Sequence, residues 1–467
     1  MRLSAVKFRA LILASLGAFG SAALAAPKTA TLVVDCGAEC DGSKPFTAAI
    51  QKAIDGAATT GGTVTFKPGT YLTGAIFLKS GVTLDIPEGV TLTGSQDIKD
   101  FPELPTRIAG IEMTWPAAMI NVRDAHDVTI TGKGTIDENG AVWWKVYNDL
   151  RADYTPRGLR WASDYDAKRV RLSLIQNSSN VHYGGGLTLK RSGFWTVQVL
   201  YSHDITIDGL TIRNNEGGRG PSTDGIDIDS SHDIDVSHAD IEANDDALCL
   251  KSGRDSDGLR VNRPTYNIKI HDSIIRRGAA TVTVGSETSG GFHNIEVWNI
   301  TAESGVPNGV LFKSAHTRGG TATDIRVHDL TLNGVATPIS ITMNWNPSYS
   351  YATLPAGMDI KSAPSYWVPL TTPVSDAQGR PHFSDVHIWN IKATGARRAF
   401  SVEAYPDAPL VNFKFDHIDI QAADAGSIAD AKDWSFSDIK LTITNGSAVK
   451  VTESTNISGL PTPQVAP

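Results

Sequence analysis

The chain has 467 residues, with 42 basic and 50 acidic side chains and a formal net charge of −8. That mild acidity argues against a nucleic-acid partner, and the length allows two or three domains or one elongated β domain. Glycine is abundant, at 43 residues, as a chain with many tight turns requires.

In chain order, residues 1–25 read as an export signal. Arg2, Lys7 and Arg9 form a basic start, Leu11 to Ala23 is apolar and small, and Ala23-Leu24-Ala25 is an A-x-A cleavage sequence. The apolar run is short for a membrane span, and no later stretch is apolar enough to cross a bilayer, so no membrane partner is expected. The mature chain is expected in the periplasm or outside the cell. Cys36 and Cys40, in DCGAEC, are close enough for a local disulfide, with two free thiols as the alternative. Cys249, in DALCLK, reads as a small buried apolar residue.

After residue 42, Phe46, Ala49, Ile50, Ala53 and Ile54 follow helical spacing and predict one amphipathic helix. From there the pattern changes to short β runs broken by Gly, Pro, Asn and Ser. One sentence then recurs: DVTITGKGTI from Asp127, DITIDGLTI from Asp204, DIDVSHADI from Asp233, NIKIHDSII from Asn267, NIEVWNITA from Asn294, DIRVHDLTL from Asp324, DVHIWNIKA from Asp385 and NFKFDHIDI from Asn412. From Asp204 the successive starts differ by 29, 34, 27, 30, 61 and 27 residues, and the 61 reads as two rungs, one degenerate or expanded. Such periods with strands indicate a solenoid. The fold class is therefore all-β, a right-handed parallel β-helix with an N-terminal capping helix, with a β-propeller as the alternative. One domain is expected over 26–450, followed by a loose tail over 451–467. Two long departures, 139–172 and 344–383, are rich in aromatic residues and are expected to wall a binding site.

Two acidic motifs lie close together, Ser222-Thr223-Asp224-Gly225 and Asn244-Asp245-Asp246-Ala247. Asp224 and Asp245 are 21 residues apart, so rungs of that length would start equivalent strands with them. Paired aspartates ahead of an apolar strand fit a turn, but burying them is costly without partners or a task. Three carboxylates meeting in a cleft suit glycoside hydrolysis, which needs one protonated acid at the leaving oxygen and a second carboxylate to activate water.

The segments STDGIDID, NDDALCLKSG, VGSETSGG and FKSAHTRGG resemble the signatures of glycoside hydrolase family 28, the polygalacturonases. GLRWASDYDAKRVR, RSGFWTVQVLYS and GRDSDGLRVNRPT resemble its bacterial exo-acting and rhamnogalacturonan-degrading branches, and the resemblance covers roughly residues 30–440. It implies a parallel β-helix that hydrolyses α-linked galacturonate of pectin with inversion; independently, the scattered histidines form no metal-ligand constellation, and no cofactor is expected. The resemblance implies Asp245 as general acid, Asp224 and Asp246 as the pair that activates water, and Lys313 as a ligand of a substrate carboxylate. Ser222 stands where the family often has Asn, and Gly285-Ser286-Glu287 replaces its Gly-His-Gly, as is common among exo-acting relatives. Leu311-Phe312-Lys313 replaces Arg-Ile-Lys, so a guanidinium fork is missing.

The substrate-binding candidates are thus Lys313, Ser222, Glu287, Arg318, Arg254, His316 and Trp161. Arg318 or an excursion arginine (Arg157, Arg160, Arg169 or Arg171) is expected to replace the fork. Among the tryptophans Trp143, Trp144, Trp161, Trp195 and Trp345, the best sugar platforms are Trp161 and Trp345. The expected partner is a pectic polysaccharide or oligogalacturonide, attacked from a chain end. The alternatives are a rhamnogalacturonan hydrolase or galacturonohydrolase, a β-helix polysaccharide lyase, a non-catalytic carbohydrate-binding β-helix, and a relative that kept the aspartates without activity.

Overall fold

The repeated β runs pair in parallel, each on the next. Ile205 lies beside Ile234, Ile234 beside Ile268, Ile268 beside Ile295 and Ile295 beside Ile325. In this computed structural model, residues 30–37 and 40–465 are described, and the expected export signal lies outside them. The result is a parallel β-helix with 32 strands in one continuous sheet; a propeller's antiparallel blades do not occur in it. Cys36 and Cys40 form a disulfide.

The repeated Asp or Asn explains how each rung turns. Asp127, Asn180, Asp204, Asp233, Asn267, Asn294, Asp324, Asp385 and Asn412 all have φ between +50° and +57°. These two residue types tolerate the left-handed region because their short polar side chains can bond locally. The side chains also join rung to rung. Asn180 donates to Asp127 at 2.5 Å, Asn267 to Asp233 at 2.8 Å, and Asn294 to Asn267 at 2.7 Å.

Inside, one apolar residue per rung stacks on the next. Val199, Ile228, Leu250, Val284, Phe312 and Ile341 form such a column. Each such side chain contributes about 1.5–3 kcal/mol by leaving water. The helix Thr47–Ala58 buries Ile50, Ile54 and Ala57. It packs on Thr31–Val34, Thr63–Phe66 and Ile76–Leu78, so its apolar side joins the core at the first rungs.

Three expectations change. Ile325 pairs directly with Val386, so the 61-residue step is one rung carrying the second excursion, not two rungs. The tail is laddered over its described length: Ser427 pairs with Lys450, Ser435 bridges Ser458, and Thr442 pairs with Gln464. Backbone pairing there needs no apolar signal, which is why a polar sequence read as loose. Finally, Ile226 lies beside Leu248, so Asp224 aligns with Asp246 and not with Asp245.

The strands Val197–Leu200, Ile226–Asp229 and Leu248–Lys251 are buried at every position. Their outer side is covered. The first excursion folds into helices Ala141–Tyr154 and Ser163–Asp166, and the second contributes the helix Trp367–Thr371. A hairpin, Glu103–Ile108 with Ile111–Pro116, lies with them. Ile108, Ile111, Trp115, Trp161, Phe194 and Trp367 form a second apolar cluster outside the solenoid. The site is built between this cover and the strands.

Candidate active site

Two loops that precede neighbouring strands deliver the aspartates. The Asp224 carbonyl accepts from the Thr196 amide at 3.0 Å and from its hydroxyl at 2.7 Å. Asn244 ties the motifs together, donating through its side chain to the Gly220 carbonyl at 2.7 Å and through its amide to the Thr223 hydroxyl at 3.3 Å. Gly225 permits the close approach: a Cβ there would stand 2.3 Å from the Ala247 carbonyl oxygen. One carboxylate oxygen from each of Asp224, Asp245 and Asp246 lies within 4.8 Å of the other two. Asp224 and Asp246 are buried and Asp245 is half-buried.

Two lysines hold this acidic cluster together. Lys313 Nζ lies 2.7 Å from Asp246 and 4.6 Å over the Trp345 ring. Lys251 Nζ lies 3.5 Å from Asp224, 3.3 Å from Asp227, 3.5 Å from Glu287 and 4.9 Å over the Trp195 ring. Five carboxyls thus face two ammoniums, and the remaining repulsion favours protonation. Burial, with the repulsion of Asp227 and Asp245, pushes Asp224 well above the usual carboxylate range. Burial pushes Asp227 up to about 7 against the pull of Lys251. Burial and the adjacent Asp246 raise Asp245. Glu287 goes the other way: burial opposes its ionisation, but Lys251, Arg318 and Arg254 outweigh it and hold the carboxyl low. The site therefore contains both a carboxyl able to donate a proton and carboxylates able to accept one.

A small cavity of about 110 Å³ opens onto these groups. Its lining includes Ser222, Asp224, Asp245, Asp246, Lys251, Glu287 and Lys313, so seven polar groups converge there. Arg160 also enters it, from the first excursion. Its Nη1 donates to Asp164 at 2.8 Å, while its Nε has no partner among the described residues. Ser222 donates to the same Asp164 at 3.3 Å. Tyr349, from the second excursion, donates to Glu287 at 3.1 Å. Trp195 and Trp345 line the cavity as well.

Several expected ligands are placed elsewhere. Trp161 is buried edge-on against Trp367, 4.8 Å between ring centres, and presents no face to a sugar. Arg254 is wholly buried, and its donors are taken by Asp255, the Tyr165 hydroxyl, and the carbonyls of Tyr349 and Ser350. It binds the excursions to the solenoid instead of reaching the cavity. Arg318 is also buried, 3.6 Å from Asp255 and 4.0 Å from Glu287, behind the lining. His316 stacks on Tyr351 at 4.1 Å in a neighbouring crevice. Leu311 is buried and does not line the cavity. Of the excursion arginines, Arg157 is exposed and paired with Asp153, and Arg169 and Arg171 are fully buried, which leaves Arg160 as the guanidinium within the site.

Three features escaped the sequence reading. Asp227 does so although DGIDID alternates, which places it outward between two core isoleucines. The hairpin 103–116 carries alternation about Ala109-Gly110, both at positive φ, a two-residue turn signal. Its tip is fixed by the Arg254 amide, 3.0 Å from the Gly110 carbonyl, and by the Tyr165 hydroxyl, 2.9 Å from the Ala109 carbonyl. Tyr349 carried no local signal, because its position depends on how the second excursion folds back.

Among the described residues, two groups could offer three ligands to a cation, Asp224 with Asp227 and Cys249, and Asp224 with Asp245 and Asp246. The ammoniums of Lys251 and Lys313 already stand beside both.

The family model described as "Glycosyl hydrolases family 28" matches residues 63–363. A "Probable polygalacturonase" of Vitis vinifera is 31% identical over 324 residues, 67% of this chain and 61% of that protein, so the chain spans less than two thirds of that relative. An "Exo-poly-alpha-D-galacturonosidase" of Dickeya chrysanthemi is 24% identical, with 87% of this chain and 70% of that one covered. The solved exopolygalacturonase of Thermotoga maritima superposes with a TM-score of 0.68 at 21% identity, covering 90% of this chain and 91% of that one; this likeness speaks to the fold.

Proposed function

The chain belongs to glycosyl hydrolases family 28, and from that premise we propose that it is an exported hydrolase of pectic galacturonan that removes galacturonate from a chain end by inversion. The carrying observation is the cluster of Asp224, Asp245 and Asp246 within 4.8 Å, with Lys313 and Arg160 beside it in one cavity.

Asp245 acts as general acid. Burial and the adjacent Asp246 raise its proton affinity, which favours the protonated form a general acid needs, and its partly open position lets it face a glycosidic oxygen. Asp224 and Asp246 hold a water, and Asp246, paired with Lys313 at 2.7 Å, takes its proton. The oxygens lie closer than the ~6.5–9.5 Å between carboxyl groups usual for inversion. Direct attack by either aspartate is nonetheless disfavoured, because Lys313 pairs with Asp246 and burial raises the proton affinity of Asp224 at the expense of its nucleophilic form. Proton NMR of the first-formed anomer tests this: the α-linked substrate should yield the β anomer, and an α anomer would sink inversion.

Arg160 and Lys313 suit a uronate carboxylate, one as a planar fork and one as a point charge. Arg160 thereby supplies the guanidinium that Leu311 lacks, which favours galacturonate over rhamnose beside the cut. Chain-end action is supported by the hairpin tip, since Ala109 lines one side of the cavity. Polygalacturonate and rhamnogalacturonan oligosaccharides, offered separately, decide the substrate; turnover of rhamnogalacturonan alone would overturn the assignment. Export is supported by residues 1–25 and is checked by sequencing the N-terminus of protein recovered outside the cytoplasm, with Ala26 expected first.

A further inference from the structure

A second cavity is larger than the one that holds the aspartates. It measures about 1210 Å³ and includes both strands of the hairpin 103–116, the ends of three rungs, the helix Asp255–Val261 and the second excursion in its walls. The hairpin lies between the two: its tip residue Ala109 lines the aspartate cavity, while Glu103, Thr106 and Glu112 line the larger one.

The charges in this cleft do not balance. Glu112 and Asp257 are both engaged by Arg260, at 2.5 and 2.6 Å, and Glu103 by Lys168 at 3.3 Å. Arg123 and Arg263 remain. Arg263 stacks on the Tyr201 ring at 4.5 Å and has no acidic partner among the described residues. Among the described residues Arg123 donates only to the Pro105 carbonyl, at 3.0 Å, and its Nε is unpartnered. Beneath them Arg171 is fully buried, bonded to Thr106 and Gln198, and also lacks a carboxylate. Burial and the like charge of Arg123 push its guanidinium down to about 9. Gln176, on the same wall, is nine-tenths buried with its Oε1 unpartnered. An unpaired buried guanidinium such as Arg171 is costly, and Arg123, half-buried, and Arg263, exposed, are the arginines of this cleft that a ligand can reach. In a chain of net charge −8 they mark a place where a ligand supplies the missing anion.

We propose that this cleft is a second, non-catalytic binding site for a carboxylated oligosaccharide, held through Arg123 and Arg263. The identity of the oligosaccharide as a galacturonan rests on the function proposed above. The volume exceeds the roughly 300–1,000 Å³ of small-molecule pockets and accommodates several sugar rings. Because the hairpin separates the cavities, the chain bound here is a different segment from the one being cut. The site raises the local concentration of polymer without touching the reacting bond.

The test uses the full mature chain. Isothermal titration with oligogalacturonates on an Asp245→Asn background should show two sites. Adding Arg123→Ala and Arg263→Ala should remove one, with affinity there falling by roughly tenfold or more and falling further with added salt in the parent. In the active protein the same pair should raise KM for polygalacturonate while leaving kcat, and KM for trigalacturonate, unchanged. Arg263→Glu alone should do the same, and circular dichroism confirms that each variant is folded. A single site in the parent, or binding and polymer KM indifferent to both arginines, would overturn the cleft. Arginine-dependent binding by a parent that hydrolyses no galacturonan would instead refute the activity and keep the cleft.

Discussion

Two sets of aspartates on this scaffold behave in opposite ways. At the turns, Asp127, Asp233 and Asp272 sit at the surface in left-handed conformation, each bonded to an Asn of the next rung and to a preceding His. Those bonds stabilise the charged form and lower all three carboxyls. At and beneath the cavity, Asp224, Asp227 and Asp245 are raised by burial and by neighbouring aspartates. The residue type and the rung geometry are shared; the difference is the cover laid over one face by the hairpin and the excursions. Desolvation and like charge turn a turn-forming residue into a proton carrier.

The comparison can be broken most sharply by the same substitution on both sides. Asp245→Asn should cut turnover by roughly 10²–10⁴-fold with the fold intact, while Asp233→Asn should leave turnover unchanged. A comparable loss from both would mean that Asp245 acts structurally.

Lys313→Met comes next. It leaves Asp246 buried without its partner, which costs about 3–5 kcal/mol when a buried pair is broken. Thermal melting should therefore fall together with kcat. Retained stability with unchanged kinetics would contradict the pairing at 2.7 Å.

Arg160→Lys keeps the charge and removes the fork. KM for a galacturonate substrate should rise roughly tenfold, with a smaller effect on a substrate whose carboxyl is methyl-esterified. Equal effects on both would show that Arg160 does not read the carboxylate.

The pH dependence separates the two sets with the smallest expected signal. Asp227 is raised to about 7, so its contribution is present below the unfolded value near 3.8 and is lost as pH rises through 7. Asp227→Asn should therefore gain on the parent between pH 5 and 8, by roughly 1–2 kcal/mol. Asp233 is lowered, so its contribution is present above the unfolded value and is lost as pH falls. Asp233→Asn should lose a few tenths of a kcal/mol at pH 7 and nothing near pH 2, since solvent screens an exposed pair. Melting temperatures across pH for both variants check the opposite slopes.

The sequence makes the solenoid legible because each rung repeats its own signals, a left-handed Asp or Asn followed by alternating apolar residues. It also isolates Asp224, Asp245, Asp246 and Lys313, since adjacent acids before an apolar strand conflict with simple burial. The register was off by one, because rung length varies and only hydrogen bonding shows that Asp224 aligns with Asp246. The walls were the least legible. Trp161 and Trp345 are both aromatic residues in excursions, yet one packs against Trp367 and the other stands over Lys313. Composition cannot separate them, because what decides is the path by which a long insertion returns to the scaffold. Arg254 and Arg160 pose the same problem: each is an arginine near the acids, and the number of backbone carbonyls already bound decides which has a hydrogen left to give.

The most direct measurement is the time course of products from polygalacturonate, resolved by chromatography with ultraviolet and mass detection. Free galacturonate accumulating from the first minutes, with no ultraviolet-absorbing ends, is the result expected of water activated by Asp224 and Asp246 in a cavity walled on one side. Unsaturated products would contradict hydrolysis itself, and an early ladder of oligomers would contradict attack at the chain end.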